Sequence, residues 1–69
     1  MVSMRSSRAL EAAGYDDESR TLRVRFREGH LYDYHDVPRH VYEELVTDPH
    51  PWTRWGQHIK DTYKVTRLD

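Results

Sequence analysis

The chain has 69 residues, of which 36% are hydrophobic, 33% charged and 12% aromatic, and its formal net charge is -1. A single small domain of this length buries a lesser share of its surface than a larger one, so tyrosine and tryptophan must supply much of the burial. The even charge balance excludes a global basic field for nucleic acid, the absence of cysteine excludes disulfides and thiolate zinc sites, and no run approaches the ~20 apolar residues that span a bilayer.

The composition therefore leads us to expect a cytoplasmic protein without membrane contact, a monomer or weak homodimer, with one domain over 1–69. Its core is expected over about 7–63, with residues 1–6 and the C-terminal end as flexible margins. In chain order, "SRALEAAGYD" is poor in strand formers and becomes a strand only through its neighbours, before the turn-rich "GYDDES". In "RTLRVRFRE", Leu22, Val24 and Phe26 alternate with Arg23, Arg25 and Arg27, the period of a strand with one buried face. "HLYDYHDV" reads as its hairpin partner.

Val37-Pro38 changes the regime, because proline cannot donate to a strand ladder but suits the first turn of a helix. In "PRHVYEELVTD", Val41, Tyr42, Leu45 and Val46 share one helical face, with Glu43 and Glu44 on the other. "DPHP" is a stiff bend, after which Trp52, Trp55, Ile59 and Tyr63 recur at helical spacing; "KVTRL" closes as a short strand or extended tail. The fold class expected is α+β: a small antiparallel three-stranded β-meander, with a short fourth C-terminal strand as an option, and two helices packed on one face.

The hairpin has two registers. A two-residue loop, Glu28-Gly29, sets Arg25 opposite Tyr32 and Arg23 opposite Tyr34, which makes an arginine and tyrosine platform but puts Asp33 on the buried face. A three-residue loop with Gly29 in the left-handed position sets Val24 opposite Tyr32, Leu22 opposite Tyr34 and Arg23 opposite Asp33. The second is favoured, since it buries the rings at roughly 1.5–3 kcal/mol each and leaves every charge wet.

These residues resemble the KTSC domain, a small domain named after the carboxy-terminal extension of some lysyl-tRNA synthetases and also found as stand-alone bacterial and phage proteins. The markers are "GYD" at 14–16, "TLRVRF" at 21–26, Tyr32 and Tyr34 after Gly29, "VP" at 37–38, "VY" at 41–42 and "IK" at 59–60. Where the family pattern has Phe-Asn before Ile-Lys, this chain has Trp55 and Gly56. The resemblance implies a small non-catalytic domain, with RNA binding suggested by its attachment to a synthetase. It makes Tyr15, Tyr32, Tyr34, Pro38 and Ile59 structural motif residues.

Two functions from different classes stay open. One is an RNA-binding accessory module for tRNA or single-stranded RNA, with phosphate contacts from Arg23, Arg25, Arg27, Lys60, Lys64 and Arg67. The other is a protein-interaction adaptor or small regulator that docks through its helix pair, with Trp52 as anchor beside Arg54.

Catalysis is not expected. There is no cysteine nucleophile, Ser6, Ser7 and Ser19 have no histidine at a defined spacing, and Glu43 and Glu44 diverge on their helix. A chain this small also leaves little room for a pocket of ~300 Å³. His35 and His40, like His50 and His58, lack the converging geometry of a zinc site, so neither metal nor cofactor is expected.

Overall fold

A computed structural model of the chain describes residues 2–3 and 9–69. Its elements are strands β1 (Val2–Ser3), β2 (Leu10–Asp16), β3 (Thr21–Phe26) and β4 (Leu31–Tyr34), helices α1 (Arg39–Thr47) and α2 (Pro51–Thr62), and strand β5 (Val65–Arg67). The fold is α+β, with one antiparallel sheet in the order β1-β2-β3-β4-β5. Among the described residues the expected count of strands is corrected to five. The tail pairs with β4 and Val2–Ser3 pairs with β2, neither of which shows a strong alternating pattern. Ser6 and Ser7 lie outside the described residues.

The β3–β4 hairpin has the three-residue loop. The Phe26 N–H donates to the His30 carbonyl and the Gly29 N–H to the Phe26 carbonyl, each at 2.9 Å, with Gly29 at φ 105°. Glycine meets no steric cost there. Val24 thus faces Tyr32, Leu22 faces Tyr34, and Arg23 faces Asp33 on the other side of the sheet. One expectation fails: Asp33 is only 9% exposed, so not every charge is wet. Its strand lies between β3 and β5, and Thr66 flanks the carboxylate from the second side.

Helix α1 starts where Pro38 serves as N-cap and ends at Asp48, whose Oδ1 accepts the His50 N–H (2.8 Å) and fixes the bend before Pro51. Both helices pack on the inner sheet face. Leu10, Ala13, Leu22, Val24, Val37, Leu45 and Ile59 are completely buried there, and Tyr34 and Val41 nearly so. A shift of register between Leu10 and Ala12 lets both Leu10 and Ala13 reach this core while Glu11 stays exposed.

Candidate nucleic-acid interface

The six cations singled out from the sequence do not form one stripe. Arg23 and Arg25 stand on the outer face of β3. Arg23 is held in a two-pronged ion pair, Nε to Asp33 Oδ1 at 2.8 Å and Nη2 to Oδ2 at 3.1 Å. That hydrogen bond, together with the charge of Asp33, raises the guanidinium's already high pKa. No carboxylate pairs with Arg25 among the described residues, and its neighbours across the sheet are Ala12 and Leu31. Phe26, Tyr32 and Tyr34 occupy inner-face positions away from these arginines, and Tyr15, also paired on the inner register, lines a recess that it shares with Arg23 and Asp33. The outer face can contact phosphate but does not group several rings together among the described residues.

Arg27 and Lys60 lie instead at the hairpin end of the inner face. With Ala9, Phe26, Glu28 and Trp52 they line a surface recess of about 340 Å³. The rings here form a chain: Tyr32 meets Phe26 edge-on at 5.3 Å, Phe26 meets Trp52 edge-on at 5.2 Å, and Trp52 is tilted against Tyr34 at 6.2 Å. Phe26, Tyr32 and Trp52 are all half-buried, and the Lys60 ammonium sits 5.8 Å from the indole centre. Arg67 closes the other flank, opposite Tyr32 in the β4–β5 register.

Trp52 reaches this position because the next turn of α2 is Gly56. A Cβ at 56 would meet the indole at 3.0 Å, tighter than ordinary van der Waals contact. Arg54 does not share the site. Two residues along a helix is a rotation of about 200°, and Arg54 lines a separate recess with Glu44, Thr47, Asp48, Pro49 and Trp55 (about 330 Å³). Lys64 is exposed ahead of β5, and its carbonyl accepts the His35 N–H at 2.9 Å.

A third recess, of about 360 Å³, is lined by Gly14, Tyr15, Asp16, Ser19, Thr21, Arg23 and Asp33. All of these hollows are shallow recesses open at the surface rather than enclosed pockets.

The structure adds His30 to the site, a residue the sequence reading passed over. Its ring is 6.3 Å from that of Tyr32, and its Nδ1 lies 2.9 Å from Arg67 Nη2 and 3.1 Å from Asp69 Oδ2. Asp69 Oδ1 also accepts from Arg67 Nε (3.2 Å) and the Leu31 N–H (3.4 Å). Burial is the largest single influence on the Asp69 carboxyl and pushes it up. The hydrogen bonds from His30, Leu31 and Arg67 together prevail and hold it below its ordinary value. The signal for His30 was its even spacing from Tyr32 and Tyr34, legible only once the register was known.

A family model described as the KTSC domain matches residues 6–63. This chain belongs to the KTSC domain family. It is similar to an "Uncharacterized protein" of Stutzerimonas stutzeri, 35% identical over 69 residues that cover 99% of this chain and 96% of that one. A protein of Tsukamurella paurometabola is 45% identical over 40 residues, 58% of this chain and 60% of that relative's length.

The KTSC motif residues divide between the core and its edge. The Tyr15 hydroxyl donates to the Val37 carbonyl (2.5 Å) and its ring stacks on Tyr42 at 5.5 Å. Burial, and secondarily the neighbouring Tyr32, raises the Tyr34 hydroxyl's pKa. Pro38 caps α1 and Ile59 is fully buried. Tyr32 alone of this set stands in the half-open aromatic end. No helix among the described residues is long and apolar enough to cross a membrane.

Proposed function

We propose that this KTSC domain is a non-catalytic, cytoplasmic binding module for single-stranded RNA, and that it engages RNA through the hairpin end of its inner sheet face. The observation that carries this reading is the convergence of half-buried Phe26, Tyr32 and Trp52 with Lys60, Arg27 and Arg67 around them. An unpaired base gains from stacking on such rings while flanking cations meet its phosphates, and this arrangement tolerates any sequence. The near-neutral net charge makes the local patch the source of affinity.

The test is an amide and indole NMR titration with a short oligouridylate and with tRNA, at low and near-physiological salt. Shifts should centre on Trp52, Phe26, Tyr32 and Lys60. With three phosphates neutralised, log affinity should fall with log salt at a slope of about -2 for a single strand. Lys60→Glu should abolish binding, whereas Arg23→Glu with Arg25→Glu should leave most of it. Absence of shifts even at low salt, or shifts confined to Arg23 and Arg25, would overturn the proposal.

A protein adaptor is the second reading, supported by the helix-joint recess where Trp55 and Arg54 lie together. Binding through that surface would respond weakly to salt and strongly to Trp55→Ala.

A further inference from the structure

The three polar groups at the flank of the aromatic end cannot all be satisfied in one protonation state. His30 Nδ1 stands 2.9 Å from a guanidinium nitrogen of Arg67 and 3.1 Å from a carboxylate oxygen of Asp69. A guanidinium only donates and a carboxylate only accepts, while one ring nitrogen either accepts, when bare, or donates, when it carries hydrogen. With Nδ1 bare, it accepts from Arg67 and opposes Asp69. With hydrogen on Nδ1, as in one neutral tautomer and always in the imidazolium, it donates to Asp69 and opposes Arg67.

We propose that His30 is a proton-operated regulator of the RNA site: its bare Nδ1 accepts from Arg67 Nη2, and on protonation it donates to Asp69 Oδ2 instead, so that Arg67 keeps only its Nε bond to Asp69 Oδ1 and its Nη2 end is freed towards phosphate. This rests on the RNA-binding reading of the aromatic end. Conversion of a neutral ring to an imidazolium adds one positive charge beside Arg67 and Asp69. The groups around the ring are Arg67 and Asp69 from the last strand and its end, and Tyr32 beneath it on β4. Arg27 and Glu28 lie in the loop that leads into it. Histidine is the side chain that ordinarily changes charge between about pH 5 and 8, so the test spans that range.

The first arm of the test uses the free protein. Across this range the His30 ring nitrogens, the Arg67 side-chain Nε–H and the Leu31 amide should move together in NMR. An Arg67 signal that stays flat while the His30 ring titrates overturns the switch, whatever RNA does.

The second arm measures affinity for a fluorescein-labelled oligouridylate at the acid and alkaline ends of the same range. Wild type should bind several-fold tighter in acid, with a salt slope steeper by about 0.7, the contribution of one added phosphate contact. His30→Gln should lose that gain and His40→Gln, an exposed histidine on α1, should keep it. Equal affinity at both ends for wild type overturns the regulation while leaving RNA binding standing. A responsive Arg67 with no RNA bound at either end overturns the function reading, and the regulation falls with it.

Discussion

At the end of the inner sheet face beside the start of α1, Tyr15 stacks on Tyr42, its hydroxyl is bound by the Val37 carbonyl, and Tyr34 is 4% exposed next to fully buried Leu22. At the hairpin end Phe26, Tyr32 and Trp52 touch one another and still present surface to water. The same sheet face thus spends aromatic side chains in two ways. Helix α1 packs on β2 over the first end, where Tyr15 and Tyr42 are partly buried and Tyr34 nearly fully so, while at the hairpin end the indole from α2 meets Phe26 edge-on. A hydroxyl bonded within the fold, as in Tyr15, marks a ring that holds the structure; rings that touch one another without such a bond are the ones still available to a ligand.

The contrast is broken if variants at the closed end and at the open end behave alike. Leu22→Ala should have the largest effect, a loss of about 3 kcal/mol of stability by chemical denaturation, since it empties a fully buried site. Any RNA bound by the folded fraction should be bound unchanged. Tyr15→Phe should cost about 1 kcal/mol by leaving the Val37 carbonyl without its donor. A change of less than a few tenths there would mean that water replaces the hydroxyl and the end is less sealed than its geometry implies.

Gly56→Ala sharpens the comparison at the open end. Alanine should gain about 1 kcal/mol of helix propensity. The 3.0 Å approach of its Cβ to the indole should displace Trp52 and offset that gain. We expect a melting midpoint close to wild type with a shifted tryptophan emission, and an unshifted emission with a raised midpoint would show that the indole yields freely.

Smaller still, alkaline pH should act through the closed end. Tyr34 keeps its proton more firmly folded than unfolded, so its contribution is fully present below the unfolded value of about 10 and is lost as pH rises through the raised folded one. Tyr34→Phe should flatten that alkaline fall in a denaturation series. Lys60→Glu should have the least effect on stability, within about 0.5 kcal/mol for an exposed charge, while abolishing RNA binding.

The alternation of Leu22, Val24 and Phe26 with arginines was legible because strand period is written directly in side-chain type, and Asp33 then fixed the hairpin register through the cost of burying it opposite Val24. Both helices followed from Pro38, Pro51 and the spacing of Val41, Leu45 and Ile59. The outermost strands were harder to read: two residues at Val2–Ser3 and three at Val65–Arg67 are too short to display a period. The candidate site was legible as a list but not as a place. Sequence gives Arg23, Lys60 and Trp52 equal standing, and only register and helical phase send the first to the outer face and bring the other two together. His30 stayed hidden because its partners lie 37 and 39 positions away.

The position of β5 imposes an order on assembly. The other strand pairs join neighbours across short stretches, but β5 returns to β4 only after both helices have been made. Until then β4 is an open edge with unpaired backbone groups, the state in which small sheets recruit strands from other molecules. Pulse-labelled hydrogen exchange during refolding should therefore protect the Val24 amide before that of Leu68, whose N–H closes on the Leu31 carbonyl at 2.8 Å. The residues that finish the sheet are also those that carry Arg67 to the aromatic end, so completing the fold and completing the binding surface are one event.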